Sequence, residues 1–144
     1  GDKIFTNEKH DFNISWNVVC KLARIMGVDF IQAGMWGGYS HNEEFALRDV
    51  INILTGMQDN FKGVLPSLSC GMHPGLVNAI LNKFGSEIML NVGGAIHGHP
   101  SGSKAGARAM MQAIELSVKG KFTKENMLKY KELSEAIKKW GYIE

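Results

Sequence analysis

Glycines and histidines are concentrated in residues 68–102, directly after two apolar runs. The run "GVLPSLS" is followed by Cys70 and Gly71, and the run "EIMLNV" is followed by Gly93 and Gly94. Glycine lets backbone N–H groups approach a ligand closely, and the N-terminus of a following helix adds partial positive charge. Two neighbouring loops of this kind predict an anion site, in which Gly71, Gly93 and Gly94 hold one phosphate. The alternative is that these glycines only form tight turns between strands and helices.

The histidines of the same stretch form an HxH pair, His97 and His99, and His73 precedes them. No carboxylate or cysteine stands at ligand spacing, so the pattern does not favour a metal. We expect His97 and His99 to hydrogen-bond to loop backbone and to hold the turn before Pro100. The glycine spacing matches neither the dinucleotide fingerprint nor a Walker loop.

Two further groups of side chains could take part in chemistry. Ser69 and Cys70 are potential nucleophiles, but neither lies in a G-x-S-x-G elbow and no base can be assigned. The sequence therefore assigns no catalytic residue. Trp36 and Tyr39, in the glycine-rich "GMWGGYSH", could cover a bound ligand or pack against a neighbour, and the sequence leaves both open.

Three strand–loop–helix units position these residues. A helix from Ile14 to Gly27 precedes them, and Asn42 is the expected cap of the helix after the first strand. The apolar runs predict parallel strands buried on both faces, joined by right-handed crossovers. The fold class is therefore α/β, and one amphipathic helix over residues 124–140 closes the chain. The units read "VDFIQAG" with "NEEFALRDVINILTGM", "GVLPSLS" with "GLVNAILNKFG", and "EIMLNV" with a long loop and "KAGARAMMQAIELSVKG".

Composition fits one ordinary globular domain of 144 residues, with 44% hydrophobic residues and a net charge of +2. The lysines and arginines are scattered along the chain, and this distribution does not indicate a nucleic-acid-binding groove. No run approaches the roughly 18 apolar residues of a membrane span, and no signal peptide is visible. Cys20 and Cys70 share no CxxC spacing, so we expect two buried free thiols and a cytoplasmic protein.

Several motifs together resemble the ribulose-bisphosphate carboxylase (RuBisCO) large-chain superfamily, over residues 14–118 and into the final helix. The motifs are "GxHPGLV", "GG-x-x-x-GHP-x-G" and "AGA-x-A-x-x-QA", in the family's order and spacing. The resemblance implies the C-terminal part of a (β/α)₈ barrel, with strands six, seven and eight. It also implies that the amides of Gly71, Gly93 and Gly94 bind a substrate phosphate and that Ser69 contacts the substrate.

Two departures from the family pattern bear on the reaction. Carboxylating members carry a lysine in a "G-x-x-x-GK" loop after strand six, where this chain has Tyr39, and a histidine where it has Gln32. A phenol cannot supply the ammonium charge that stabilises developing negative charge. The resemblance therefore implies a RuBisCO-like protein: an enolase, isomerase or decarboxylase acting on a phosphorylated sugar or sugar acid through an enolate-type intermediate. A divergent ribulose-1,5-bisphosphate carboxylase and a non-catalytic assembly module are the alternatives.

A complete barrel takes about 250 residues, and this chain carries only three of the eight strands. The resemblance places the Mg²⁺ ligands on barrel strand two, outside this chain, and implies no metal ligand within it. We therefore expect the chain to need the rest of the barrel and an N-terminal domain, to form a homodimer or higher oligomer, and to be inactive alone. The expected organisation is an irregular segment 1–13, a partial barrel 14–120 and a helical tail 121–144.

Overall fold

Three parallel strands form one sheet. The structure, a computed structural model, describes residues 5–7, 9–39, 42–56 and 61–143. The sheet order follows the chain order, and each crossover contains a helix, which confirms the predicted α/β class. The predicted irregular segment 1–13 lies partly outside the described residues. The strands are β1 (Phe30–Gly34), β2 (Leu65–Leu68) and β3 (Met89–Leu90).

The helices flank this sheet, and their ends follow local sequence signals. Ser15 caps the first helix by accepting the Val18 N–H, and Gly27 and Gly85, both at positive φ, follow the ends of two helices as predicted. The helices are α1 (Trp16–Ile25), α2 (Glu44–Thr55), α3 (Val77–Phe84) after a 3₁₀ turn (Pro74–Leu76), α4 (Gly93–His97), α5 (Ser103–Val118), α6 (Lys124–Leu128) and α7 (Lys131–Trp140).

The single helix predicted over residues 124–140 is wrong, because the chain breaks at Tyr130, which has an extended backbone. Met127 and Leu133 are both buried. Six residues apart on one straight helix, they would point about 120° away from each other. The break between α6 and α7 lets both side chains reach the core.

Two other local predictions are also corrected. The long loop predicted after β3 contains α4, which is only five residues long and so leaves no periodic signal. Asn42 does not cap α2: its side-chain Oδ1 accepts the Met35 N–H at 2.8 Å, and its own N–H donates to the Met35 carbonyl at 2.7 Å. Asn42 thus closes the loop that follows β1.

The core lies between the sheet and the helices, and the other face of the sheet is partly exposed. Phe30 on β1 is 61% exposed and Leu65 on β2 is 39% exposed, whereas Pro66, Ser67 and Leu68, which follow one another along β2, are all buried. The prediction of strands buried on both faces therefore holds for β2 beyond Leu65 and is wrong for β1. Within the described residues no further strand covers the outer edges of β1 and β3.

A buried arginine fixes the entry to β2. The Arg24 side chain on α1 is 3% exposed, and its guanidinium donates to the carbonyls of Ile53 and Gly56 at 2.6 Å each. It also donates to the carbonyls of Lys62 at 3.0 Å and Phe61 at 3.2 Å. Arg24 therefore satisfies both the C-terminus of α2 and the segment leading into β2.

Candidate functional site

The loops that follow β2 and β3 begin side by side at one edge of the sheet. Leu68 and Leu90 are partners in the parallel ladder, and the Asn91 N–H donates to the Leu68 carbonyl at 2.8 Å. Ser69, Cys70 and Gly71 follow β2, and Gly93 and Gly94 follow β3 after a short connection. Because adjacent strands lie about 4.8 Å apart, the two glycine-containing turns begin next to each other.

Gly93 and Gly94 leave their amides free. They are the first residues of α4, whose N–H groups have no acceptor within the helix, and no carbonyl among the described residues accepts from them. Neither glycine has a positive φ, and a Cβ built on either would find nothing within 4 Å. The fold itself therefore has no need of glycine here, whereas close approach of a ligand to the backbone does.

Gly71 differs, because the fold requires it. Its φ is +107°, and a Cβ there would lie 2.5 Å from the Tyr39 amide nitrogen. The tight-turn interpretation thus explains why this position is glycine. Its N–H also meets no acceptor among the described residues, so it remains available to a ligand.

Cys70 lies between two candidate site residues, Ser69 and Gly71, and has an unusual backbone conformation. Its φ of +75° places a non-glycine residue in the left-handed region. The Gln32 side-chain amide donates to its Sγ at 3.7 Å, and the Ser69 hydroxyl lies 3.5 Å from the same sulfur. Cys70 is only half-buried, so the prediction of two buried thiols holds for Cys20 alone. Burial raises the pKa of the Cys20 thiol to about 11, which makes that thiol unreactive.

Trp36 and Tyr39, whose roles the sequence did not decide, have different surroundings in the structure. Trp36 packs edge-on against Phe84, with ring centroids 6.3 Å apart, and the Lys83 ammonium lies 4.8 Å from the Trp36 ring centroid. Tyr39 instead is 87% exposed at the rim of the site, beside Gly71. Trp36 is therefore a packing residue, and Tyr39 lies next to the candidate site.

The histidines have structural partners. The buried His99 accepts the Ser101 N–H at Nδ1 and therefore donates from Nε2 to the Glu132 carbonyl at 2.9 Å, which confirms the predicted backbone bonding. His97 instead bonds the Ser103 side-chain hydroxyl at 3.0 Å, so the prediction of a bond to loop backbone is wrong for His97. Within the described ranges, no three His, Cys, Asp or Glu side chains are grouped so that they could hold a metal.

His73 is half-buried, and its Nδ1 atom is fully buried with no hydrogen-bond partner among the described residues. Its ring stacks on Trp140, with centroids 6.1 Å apart, and the Lys139 ammonium and the His99 ring also adjoin Trp140. Burial lowers the pKa of His73, because a charged imidazole would lose its hydration there.

The lowered pKa of His73 predicts that stability falls on mild acidification. Below about pH 6.5 the unfolded chain takes up a proton at this position before the folded protein does, so the free energy of unfolding decreases. Denaturant unfolding at pH 7.5 and 5.5 measures the loss, and His73→Phe keeps the stacking and should reduce it. An equal loss in wild type and His73→Phe would contradict this origin.

No helix within the described ranges is long and apolar enough to cross a bilayer.

The family model for the ribulose bisphosphate carboxylase large chain, catalytic domain, matches residues 1–140. The chain belongs to the RuBisCO large-chain family. The family resemblance inferred from the motifs is confirmed, and with it the interpretation of the sheet as part of a (β/α)₈ barrel.

Relatives in the RuBisCO family include both carboxylases and an enolase. The ribulose bisphosphate carboxylase of Pyrococcus furiosus is 34% identical over 95% of this chain and 32% of its own length. A 2,3-diketo-5-methylthiopentyl-1-phosphate enolase from Geobacillus thermodenitrificans is 36% identical over 86% of this chain and 30% of its own length. The chain thus spans about a third of the length of these relatives.

Solved RuBisCO structures share the fold. The octameric enzyme from Pyrococcus horikoshii superposes with a TM-score of 0.89 at 29% identity, over 96% of this chain and 32% of that chain. A RuBisCO-like protein from Alicyclobacillus acidocaldarius gives a TM-score of 0.85 at 31% identity, over 96% of this chain and 35% of that chain. A dimeric archaeal RuBisCO from Hyperthermus butylicus is also similar, at 31% identity.

Proposed function

We propose that this chain supplies the phosphate-binding wall of a RuBisCO-like enzyme acting on a phosphorylated sugar or sugar acid. The observation that carries the proposal is the pair Gly93 and Gly94, whose amides are unpaired and whose Cβ positions are open space. A third free amide, that of Gly71, belongs to the neighbouring turn. Unpaired backbone N–H groups in adjacent turns can bind an anion without a charged side chain.

Each residue has a distinct role in this proposal. The three amides donate to phosphate oxygens and so fix one end of the substrate. The Ser69 hydroxyl, two residues before Gly71, is the proposed contact to the substrate next to its phosphate. Binding energy at the phosphate orients the remainder of the substrate for reaction in the rest of the barrel.

Tyr39 favours enolisation, isomerisation or decarboxylation over carboxylation. It replaces the lysine that the resemblance assigns to carboxylating members, and a neutral phenol stabilises developing negative charge far less than an ammonium does. The nearby Lys83 ammonium is paired with Glu44 at 2.6 Å and lies over the Trp36 ring. The similarity to a relative named as an enolase of a phosphorylated diketone supports an enolate-type intermediate.

A divergent ribulose-1,5-bisphosphate carboxylase is the second candidate. It is favoured by the 34% identity to the Pyrococcus furiosus carboxylase over nearly the whole chain. In that case the lysine would have to come from another part of the protein.

The proposal includes the partners that the resemblance implies. The remaining barrel strands and an N-terminal domain complete the site, and the protein forms a homodimer or higher oligomer. Mg²⁺ is implied with ligands on barrel strand two, and the described residues contain no group suited to hold it. We therefore assign no metal ligand and no metal-dependent step to this chain.

The complete protein should enolise a phosphorylated substrate without fixing CO₂. Deuterium incorporation from D₂O into 2,3-diketo-5-methylthiopentyl 1-phosphate, followed by NMR, measures enolisation, and labelled CO₂ with ribulose 1,5-bisphosphate measures carboxylation. Sustained carboxylation would establish the second candidate instead. A protein that turns over neither compound and binds no phosphate would be the non-catalytic assembly module.

A further inference from the structure

Uncharged polar side chains form a row on the partly exposed face of the sheet, the face that carries Phe30 and Leu65. Side chains two residues apart on a strand share a face, so Gln32 lies on the same face as Phe30, and Ser67 on the same face as Leu65. Gln32 and Ser67 are partners in the ladder between β1 and β2. The polar row consists of Gln32, Ser67, Ser69 and Asn91.

Side-chain contacts join the polar row across the three strands. The Asn91 amide, exposed directly after β3, donates to the Ser67 hydroxyl. The Gln32 amide donates to the Cys70 sulfur at 3.7 Å, and the Ser69 hydroxyl lies 3.5 Å from that sulfur. These contacts give the polar groups defined positions at the carboxyl ends of the strands.

Gln32 and Asn91 keep polar atoms for a ligand. Each side-chain NH₂ group has two hydrogens, and the bonds within the row use one of them. The carbonyl oxygens, Oε1 of Gln32 and Oδ1 of Asn91, have no hydrogen-bond partner among the described residues, and both side chains are exposed. Each amide therefore offers one donor and one acceptor. A hydroxyl group can pair with both, and a keto group can pair with the donor.

The polar row adjoins the proposed phosphate site. Asn91 is two residues before Gly93, and Ser69 is two residues before Gly71. Two residues span at most about 7 Å, so the row is within reach of the first carbons attached to a phosphate on these amides. The row contains no Lys, Arg or His, so an anionic group placed there would lose hydration without gaining a cation.

We propose that the polar row is a subsite for hydroxyl or keto groups on the carbons next to the substrate's phosphate, with Gln32 and Asn91 as specificity-determining residues. This rests on the proposed phosphate site and narrows its substrate class. The glycine amides bind the phosphate, and the row selects a sugar chain that carries neutral oxygen groups beside it. A carboxylate or a second phosphate at this position is disfavoured.

Three probes test the subsite in calorimetric titration of the complete protein. Glycerol 3-phosphate and 3-phosphoglycerate have the same carbon chain, but the first ends in a hydroxymethyl group and the second in a carboxylate. Inorganic phosphate reports on the glycine amides alone. We expect Gln32→Met to weaken binding of glycerol 3-phosphate about two- to tenfold, because hydrogen bonds are lost, and to leave binding of inorganic phosphate unchanged.

Charge-changing variants test the selectivity of the row. Gln32→Lys should shift the ratio of the two ester affinities about tenfold toward 3-phosphoglycerate, because it adds an ammonium to the row. Asn91→Asp can still accept from Ser67, and its carboxylate should shift the ratio the other way. Met111→Lys is the matched control: it adds the same charge as Gln32→Lys at a 55% exposed position on α5, and it should leave the ratio unchanged.

Two outcomes would overturn the subsite alone. They are a Gln32→Met protein that binds glycerol 3-phosphate like the wild type, and affinity ratios in Gln32→Lys and Asn91→Asp that equal the ratio in Met111→Lys. A wild type that binds neither inorganic phosphate nor either ester would overturn the proposed function as well.

Discussion

Replacing both Gly93 and Gly94 with alanine should make the protein more stable and, at the same time, a poorer phosphate binder. Each new Cβ enters open space on a helical residue, where alanine is favoured over glycine by about 0.5–1 kcal/mol. The same Cβ atoms occupy the space through which a phosphate would reach the two amides. Losing one or two charge-assisted hydrogen bonds, each about 1.5–3 kcal/mol, lowers affinity by roughly tenfold if one is lost at the lower figure and by roughly ten-thousandfold if both are lost at the higher.

Thermal unfolding and calorimetric titration with inorganic phosphate measure the two effects on the same samples. Gly63→Ala, outside the candidate site, controls for the general consequence of replacing glycine. A purely architectural role for Gly93 and Gly94 predicts the gain in stability with unchanged affinity. That result would remove both residues from the site.

Of these substitutions, Arg24→Met should lower the free energy of unfolding most, by on the order of 3–5 kcal/mol. The substitution removes the donors to four carbonyls that end α2 and lead into β2. Those carbonyls would then be buried without partners, at about 1–3 kcal/mol each where water cannot enter. Arg24→Lys keeps the charge but not the planar set of donors, so we expect an intermediate loss.

The denaturant midpoint of the complete protein measures this loss. Arg108→Met is the matched control, because Arg108 is 59% exposed and forms a 3.4 Å ion pair with Glu132. The control should change the midpoint little. Similar midpoints for Arg24→Met and Arg108→Met would show that the carbonyls find other partners.

The elements with long apolar patterns could be predicted from the sequence, and those set by tertiary contacts could not. The runs before Ser69 and Asn91 predicted strands, and Gly85 predicted the end of a helix. The break at Tyr130 depends on which core surface Met127 and Leu133 reach, which no local pattern encodes. The position of Asn42 before a helical pattern predicted a helix N-cap, but its side chain accepts a hydrogen bond from Met35 across the loop instead.

In the candidate site, too, local sequence predicted some features and tertiary contacts set the others. The positions of Gly71, Gly93 and Gly94 after two strands predicted their shared edge, because parallel strands end together. The sequence could not show that contacts require glycine only at Gly71. Nor could it show the strained φ of Cys70 or its bond to Gln32, since those two residues are 38 positions apart.

The position of bound phosphate tests the central claim most directly. Crystals of the complete protein grown with inorganic phosphate should show it within about 2.7–3.1 Å of the amide nitrogens of Gly71, Gly93 and Gly94. Phosphate bound only elsewhere, with these three amides contacting water or neighbouring carbonyls, would contradict the account.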